Sequence, residues 1–424
     1  MSGRFNRSVR RQRGAAALVV TMLLVFAMLI VVAVANRNVI VEVRASANQY
    51  RSTQAFEAAE AGLEWALARL NDNTPIGDDC LPSADPAAPS FRERYLRDAG
   101  AGFVAVTWDD AGTPRPLQAT CVRGEAGWSC SCPAGGAAVV AAPDGSETAP
   151  GFALQFGDGP RPGIVRAIAS GCTRSDAPCA AISEAGHEAA TRVEVAFGLI
   201  PGLRAAPVAA LTVGGNVDAG ASALGAHNRD AASGGTAIHA GGSVAGDALR
   251  LSAPAGSPLD GAIAAGDAQL AALDADRFFA RWFGMDRTAW RAQPAATQLD
   301  CSGSCGSAVA IAVASGGRLV AVEGDFTLDG PLTLGTPDRP IVLLAAGALR
   351  LRGAVTLHGV VIAGSIDWRD AAVNAGALIQ GAALLDGDYT GDAAADFVHD
   401  AALLARLQRA TGSFTRVNGS WKDF

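Results

Sequence analysis

The run from Ala15 to Ala35 carries no charge and is almost wholly apolar, and it follows arginines at positions 4, 7, 10, 11 and 13. As a helix rising about 1.5 Å per residue it spans roughly 30 Å, the thickness of a bilayer's hydrocarbon core. A cleavable secretory signal has a shorter apolar region, so the segment is expected to persist as a transmembrane helix over 15–36. The preceding arginines hold the N-terminus on the cytoplasmic side and send the body across the membrane. No proline follows until Pro75, and Phe56, Ala59, Leu63, Ala66, Leu67 and Leu70 recur at helical spacing. Glu57, Glu60, Glu64 and Arg69 fall largely on other faces. The helix is therefore expected to continue over 37–72, about 80 Å in all, half in lipid and half against a soluble domain.

An Arg-rich leader over 1–14 ending in Gly14, a long apolar helix and then AFEAAEAGLEWAL (Ala55 to Leu67) resemble the N-terminal region of PilX-type minor pilins. The shared helix motif is Phe56, Glu57, Ala58, Ala59 and Glu60. In the wider pilin superfamily of type IV pili and type II secretion, a prepilin peptidase cuts after a glycine and methylates the new N-terminus. The resemblance implies a junction at Arg13, Gly14 and Ala15, with the mature chain starting at Ala15. Major pilins start with Phe and carry Glu at the fifth mature position, which neutralises a neighbour's N-terminal amine within lipid. Here those positions are Ala15 and Val19. Without that carboxylate the chain cannot offer a neighbour the buried ion pair. A low-copy subunit is expected rather than a repeating shaft subunit.

The fold class expected is α+β to mostly β. Fifty glycines and 6% aromatics favour turn-rich β structure with small side chains. Residues 75–200 hold alternating runs such as GFVAVTW, IVRAIASG and TRVEVAFG, and form the expected pilin-like α+β region. From 201 to 424 a Gly-rich, β-solenoid-like domain is expected. GDFTLDG, GALRLRG, GSIDWRD and GAALLDG begin at Gly324, Gly347, Gly364 and Gly381, the last with its apolar register shifted. Leu211 to Gly246 resembles further coils, although a sandwich of hairpins fits the same pattern. A helical insertion over 268–290 is expected to cover the coil, its aromatics packed inward rather than offered to a partner. A helix over 396–410 is expected to cap the final coil. The tail GSFTRVNGSWKDF also resembles the C-terminal region of larger PilX-like proteins.

Eight cysteines (Cys80, Cys121, Cys130, Cys132, Cys172, Cys179, Cys301 and Cys305) in an exported body are expected to form disulfides, with the pairing open. None forms a CxxC, so no metal site is expected. The net charge of −7 argues against nucleic acid. The sole lysine, Lys422, leaves no P-loop. DGDYTGD places Asp386, Asp388, Thr390 and Gly391 as the start of a calcium loop would. Phe397, however, stands where the bidentate Glu is required, so solenoid turns are the better reading. His187, His227, His239, His358 and His399 are scattered, without HExxH or GxSxG.

No enzyme and no cofactor is expected. The chain reads as a minor pilin-like structural subunit of a type IV pilus or pseudopilus. It would be single-pass in the inner membrane with a periplasmic body, passing to a pilus tip or the cell surface on assembly. Its partners would be major and minor pilins, the prepilin peptidase, the inner-membrane assembly platform and membrane lipid. An adhesive role stays open, with no carbohydrate or receptor motif legible in the sequence. The alternative is an anchored periplasmic β-helical enzyme or glycan-binding module.

Overall fold

The computed structural model describes residues 13–423 apart from 101, 126, 138–148, 174–178, 180–188 and 374. The first twelve residues of the expected leader lie outside the described residues. One unbroken helix, Arg13–Asn71, covers both segments that the sequence divides into 15–36 and 37–72. Its second half lies on an antiparallel sheet, and a larger all-parallel strand unit stands beside that head.

The head sheet runs in the order Gly412–Arg416, Ala190–Pro201, Ile164–Cys172, Gly151–Asp158, Gln118–Gly124 and Gly127–Ser131. Lys422–Asp423 pairs further along Ala190–Pro201. Alternation sorts its faces: Phe152, Leu154 and Phe156, then Val165, Ala167 and Ala169, then Val193, Val195 and Phe197, enter one core. Ala59, Leu63, Ala66 and Leu70 of the helix close that core. Both ends of the chain thus build the head. The expected domain over 201–424 is therefore not a single unit, because Gly412–Arg416 is an edge strand of the head.

The parallel unit contains a 12-stranded and a 7-stranded sheet among the described residues, and the chain alternates between them. In the smaller sheet Phe326, Leu349, Ile366, Tyr389, Val217 and Val244 lie in register and fill the space between the sheets. The larger sheet takes the runs LVAV, IVLLA, GVVIA and AALL, which are apolar throughout because both faces are covered. Leu343, Val361 and Ala383 face inward, while Val342, Val360 and Ala382 face a layer of helices. The shifted register of GAALLDG follows. Its apolar residues belong to the larger sheet, and the true counterpart of Ile366 in the smaller one is Tyr389.

Stacking does not follow the chain. Strands stack in sequence from Ala296–Leu299 to Leu378–Leu385, whose next neighbour is Leu211–Val213, from far earlier in the chain. After Ile263–Ala264 three short helices, Ala268–Ala271, Ala275–Phe283 and Arg287–Arg291, return the chain to the opposite end of the stack. Asp267, Asp274 and Asp286 cap them, each accepting backbone N–H bonds that the first helical turn leaves free. Phe278, Phe279, Trp282, Phe283 and Trp290 are buried against the larger sheet, so these aromatics are core.

Two expectations change. Asp396–His399 is a strand and the helix is Ala401–Ala410, so 396–410 is not one helix. That helix packs Leu403, Leu404 and Leu407 on the flank of the stack instead of capping its end. The end needs no cap there, because Asp396–His399 pairs with Gly225–His227. The helix that does sit at a stack end, Gly306–Ala314, comes from the run GSAVAIAVA, whose apolar residues give no helical stripe.

Candidate assembly surface

Among the described residues nothing packs against the first half of the long helix. Leu18, Val19, Leu23, Phe26, Leu29, Ile30 and Val34 are exposed, and the most apolar stretch is wholly unburied. Each such side chain gains roughly 1.5–3 kcal/mol on leaving water. The segment is long and apolar enough to cross a membrane. Arg13, Gly14 and Ala15 form the first helical residues, so the proposed junction is contiguous with this surface.

The second half is held by small residues. Gly171 faces the helix so closely that a Cβ there would lie 2.0 Å from the Ala55 carbonyl oxygen and 2.5 Å from the Ala59 nitrogen. Ala55, Ala58 and Ala59 are accordingly buried. Gly62 receives the Phe152 ring, which a Cβ would approach to 2.9 Å. Thus Ala58 and Ala59 of the motif are dictated by contact with the sheet. Its larger members meet the C-terminal tail: Phe56 packs edge-on against Trp421 at 6.1 Å, and Glu60 accepts a 2.7 Å hydrogen bond from Trp421 Nε1. One turn on, Glu64 pairs with Arg416 at 2.8 Å. Glu57 is exposed.

Sequence reading did not find Asn71, Gly171 or Trp421. Asn71 ends the helix, and its buried amide accepts from Phe414 N–H at 2.7 Å and donates to Phe414 O at 3.0 Å. It therefore occupies the free edge of the strand Gly412–Arg416 as a neighbouring backbone would. Only the tail's Trp, in a segment singled out for its resemblance, offered a signal.

Residues 13–64 match the PilX N-terminal family model. Over this segment the chain is similar to the PilX N-terminal family. The matched residues hold the exposed apolar half and the sheet-facing motif together, and end at Glu64, which pairs with Arg416 of the tail strand. A solved structure, the competence-associated pilin ComZ from Thermus thermophilus, aligns over 88% of this chain and 97% of that chain at 12% identity. Its TM-score of 0.24 is too low to bear on shape. No curated protein matches the chain.

The remaining candidate residues have structural partners. All eight cysteines pair, as Cys80–Cys132, Cys121–Cys130, Cys172–Cys179 and Cys301–Cys305. Asp388 Oδ1 accepts from Asn216 N–H at 2.6 Å, and Asp386 is bound by Arg287. Burial pushes the Asp386 carboxyl up against the opposing pull of that guanidinium. Asp367 pairs with Arg352 and Arg369, and Asp392 Oδ1 accepts from Asp370 N–H. The acidic loop is thus a set of turns fastened to neighbouring strands. Among the described residues no group of three or more His, Cys, Asp or Glu is placed to hold a metal.

Among the described residues His227 is the histidine in a triad-like setting. Its Nδ1 lies 2.9 Å from Ser252 Oγ and its Nε2 3.1 Å from Asp396 Oδ1. Arg250 binds the same Asp396 oxygen at 2.8 Å and neutralises the carboxylate that a triad needs for its imidazolium. Stacked strands bring the three together as a ladder between layers. His239 bonds Asp267, whose carboxyl this contact holds below the usual range. His358 and His399 bond Gln380 and the Pro207 carbonyl. His187 lies outside the described residues.

Proposed function

We propose that the protein is a minor subunit of a type IV pilus or related pseudopilus, inserted through its N-terminal helix and carrying its body outside the inner membrane. The observation that carries this reading is the PilX N-terminal match over residues 13–64. An apolar half-helix with no partner among the described residues supports it, since such a surface is satisfied by lipid or by other apolar helices. The arginines before the helix favour a cytoplasmic N-terminus. Val19 in place of Glu favours low-copy use, near a tip or in an initiating complex. Pilins, the prepilin peptidase and the assembly platform are the partners this reading implies.

The parallel unit is read, within the same proposal, as a β-solenoid mounted on a pilin-like head. Its in-register parallel ladders and alternation between two sheets support that reading. No catalytic step is assigned to it. The N-terminus of native protein tests the assembly role. Mass analysis is expected to find Ala15 first, Gly14→Arg is expected to preserve the uncut form, and sheared surface pili are expected to contain the protein. An intact Met1 in cells with active prepilin peptidase, together with absence from sheared pili, sinks the reading.

A further inference from the structure

Where the head, the stacked sheets and the C-terminal helix meet there is a cleft of about 370 Å³. That is within the range of small-ligand sites. Arg92, Arg318, Arg339, Arg406 and Arg409 line it, against three carboxylates, Glu93, Asp98 and Asp338. The five guanidinium groups exceed the acids by two charges.

The acids are already engaged. Glu93 is shared by Arg318 at 3.4 Å and Arg339 at 3.1 Å, Asp338 lies 3.2 Å from Arg406, and Asp98 lies 3.6 Å from Arg409. Arg92 is buried and gives its hydrogen bonds to the carbonyls of Leu70, Ala410 and Gly412, so its charge enters the cleft without a carboxylate of its own. Burial lowers the Arg92 and Arg318 guanidinium groups to about 10, against the opposing pull of the Glu93 carboxylate on both and with a smaller lowering from the neighbouring Arg318 and Arg339 respectively. Both stay charged at neutral pH. Among the described residues Arg409 Nε is buried without a hydrogen-bond partner.

A bland reading is available, in which Glu93 simply rivets the head to the stack through Arg318 and Arg339. It explains those two arginines and leaves the two surplus positive charges of the cleft unexplained. Planar guanidinium forks match tetrahedral oxyanions in pairs, and a phosphate monoester carries −1.5 to −2 at neutral pH, about the charge needed. We propose that this cleft binds a phosphate dianion, free or as the monoester of a small sugar.

Titration calorimetry on the full chain in detergent micelles tests it, with sodium phosphate against sodium chloride at equal ionic strength. Saturable binding of phosphate is expected, weakened about tenfold or more by Arg339→Gln and by Arg409→Gln. Arg350→Gln removes an exposed arginine paired with Asp325 outside the cleft and should leave affinity unchanged. If Arg339→Gln fails to fold, Arg409→Gln on the flanking helix still decides the matter. Glucose 1-phosphate competing with phosphate assigns a monoester, and its failure to compete assigns the free anion. Absence of saturable heat beyond chloride, or wild-type affinity in both cleft variants, overturns the proposal.

Discussion

Gly171 and Gly62 decide, atom by atom, how the long helix sits on its sheet. At Gly171 any Cβ runs into helix backbone, which cannot rotate aside as a flexible side chain can. Gly171→Val is therefore expected to destabilise the protein by about 3 kcal/mol or more, through forced separation of helix and sheet. Urea unfolding of the full chain in detergent, followed by tryptophan fluorescence, reads the effect. Gly261 is the control, since a Cβ there meets nothing within 4 Å, and Gly261→Ala should change stability by less than about 0.5 kcal/mol. An equal loss in both variants would show that the close approach is not the cause. The motif around Ala59 was visible in the sequence, but its partner was not, because a strand glycine opposite a helix has no local signature.

At the scale of elements, the head combines a hairpin staple with a long-range one. Cys121–Cys130 joins directly opposed residues of adjacent strands, a separation of 9 residues. Cys80–Cys132 ties the loop after the helix to the segment after that hairpin, a separation of 52. If restriction of the unfolded chain dominates, the longer loop contributes about 4 kcal/mol and the shorter about 2.5 kcal/mol. The Cys80→Ala/Cys132→Ala double variant should therefore lower Tm more than Cys121→Ala/Cys130→Ala, by calorimetry under non-reducing conditions. The reverse order would assign the staples to native-state packing. Cysteine count and compartment made disulfides legible, whereas the pairing needed the register of strands that share no pattern in the sequence. Gly306–Ala314 was missed for a related reason: small apolar residues all round give no face to read.

Over the whole molecule, a single column of glycines marks the corner between the two parallel sheets. Gly347 donates to Gly324 O, Gly364 to Gly347 O, Gly387 to Gly364 O, Gly215 to Gly387 O, Gly242 to Gly215 O and Gly266 to Gly242 O, all within 3.1 Å. The column passes without interruption from Gly387 to Gly215, where chain order is broken. At Gly387 a Cβ would lie 2.6 Å from the Gly364 carbonyl oxygen. Gly387→Ala is expected to cost about 2–4 kcal/mol. Because the corner is continuous, hydrogen exchange should accelerate together in Leu211–Val213 and Leu378–Leu385, the strands paired across the seam. Acceleration confined to 378–385 would mean that the two sections fold independently.

By itself the sequence determined what its local periodicities encode. The charge-free run fixed a helix of membrane length, the Ala-rich stripe its buried face, and the Gly-bounded alternating runs short strands facing a shared interior. Tertiary structure alone decided which strands are neighbours. That the segment from Leu211 stacks on the last layer rather than the first, and that Gly412–Arg416 returns to the head beside Ala190–Pro201, rests on backbone hydrogen bonds. These are the same for any side chain, so the strand sequences carry little record of their partner. The arginines of the cleft, at 92, 318, 339, 406 and 409, are likewise scattered along the chain, and only the packing of three separate elements gathers their charges.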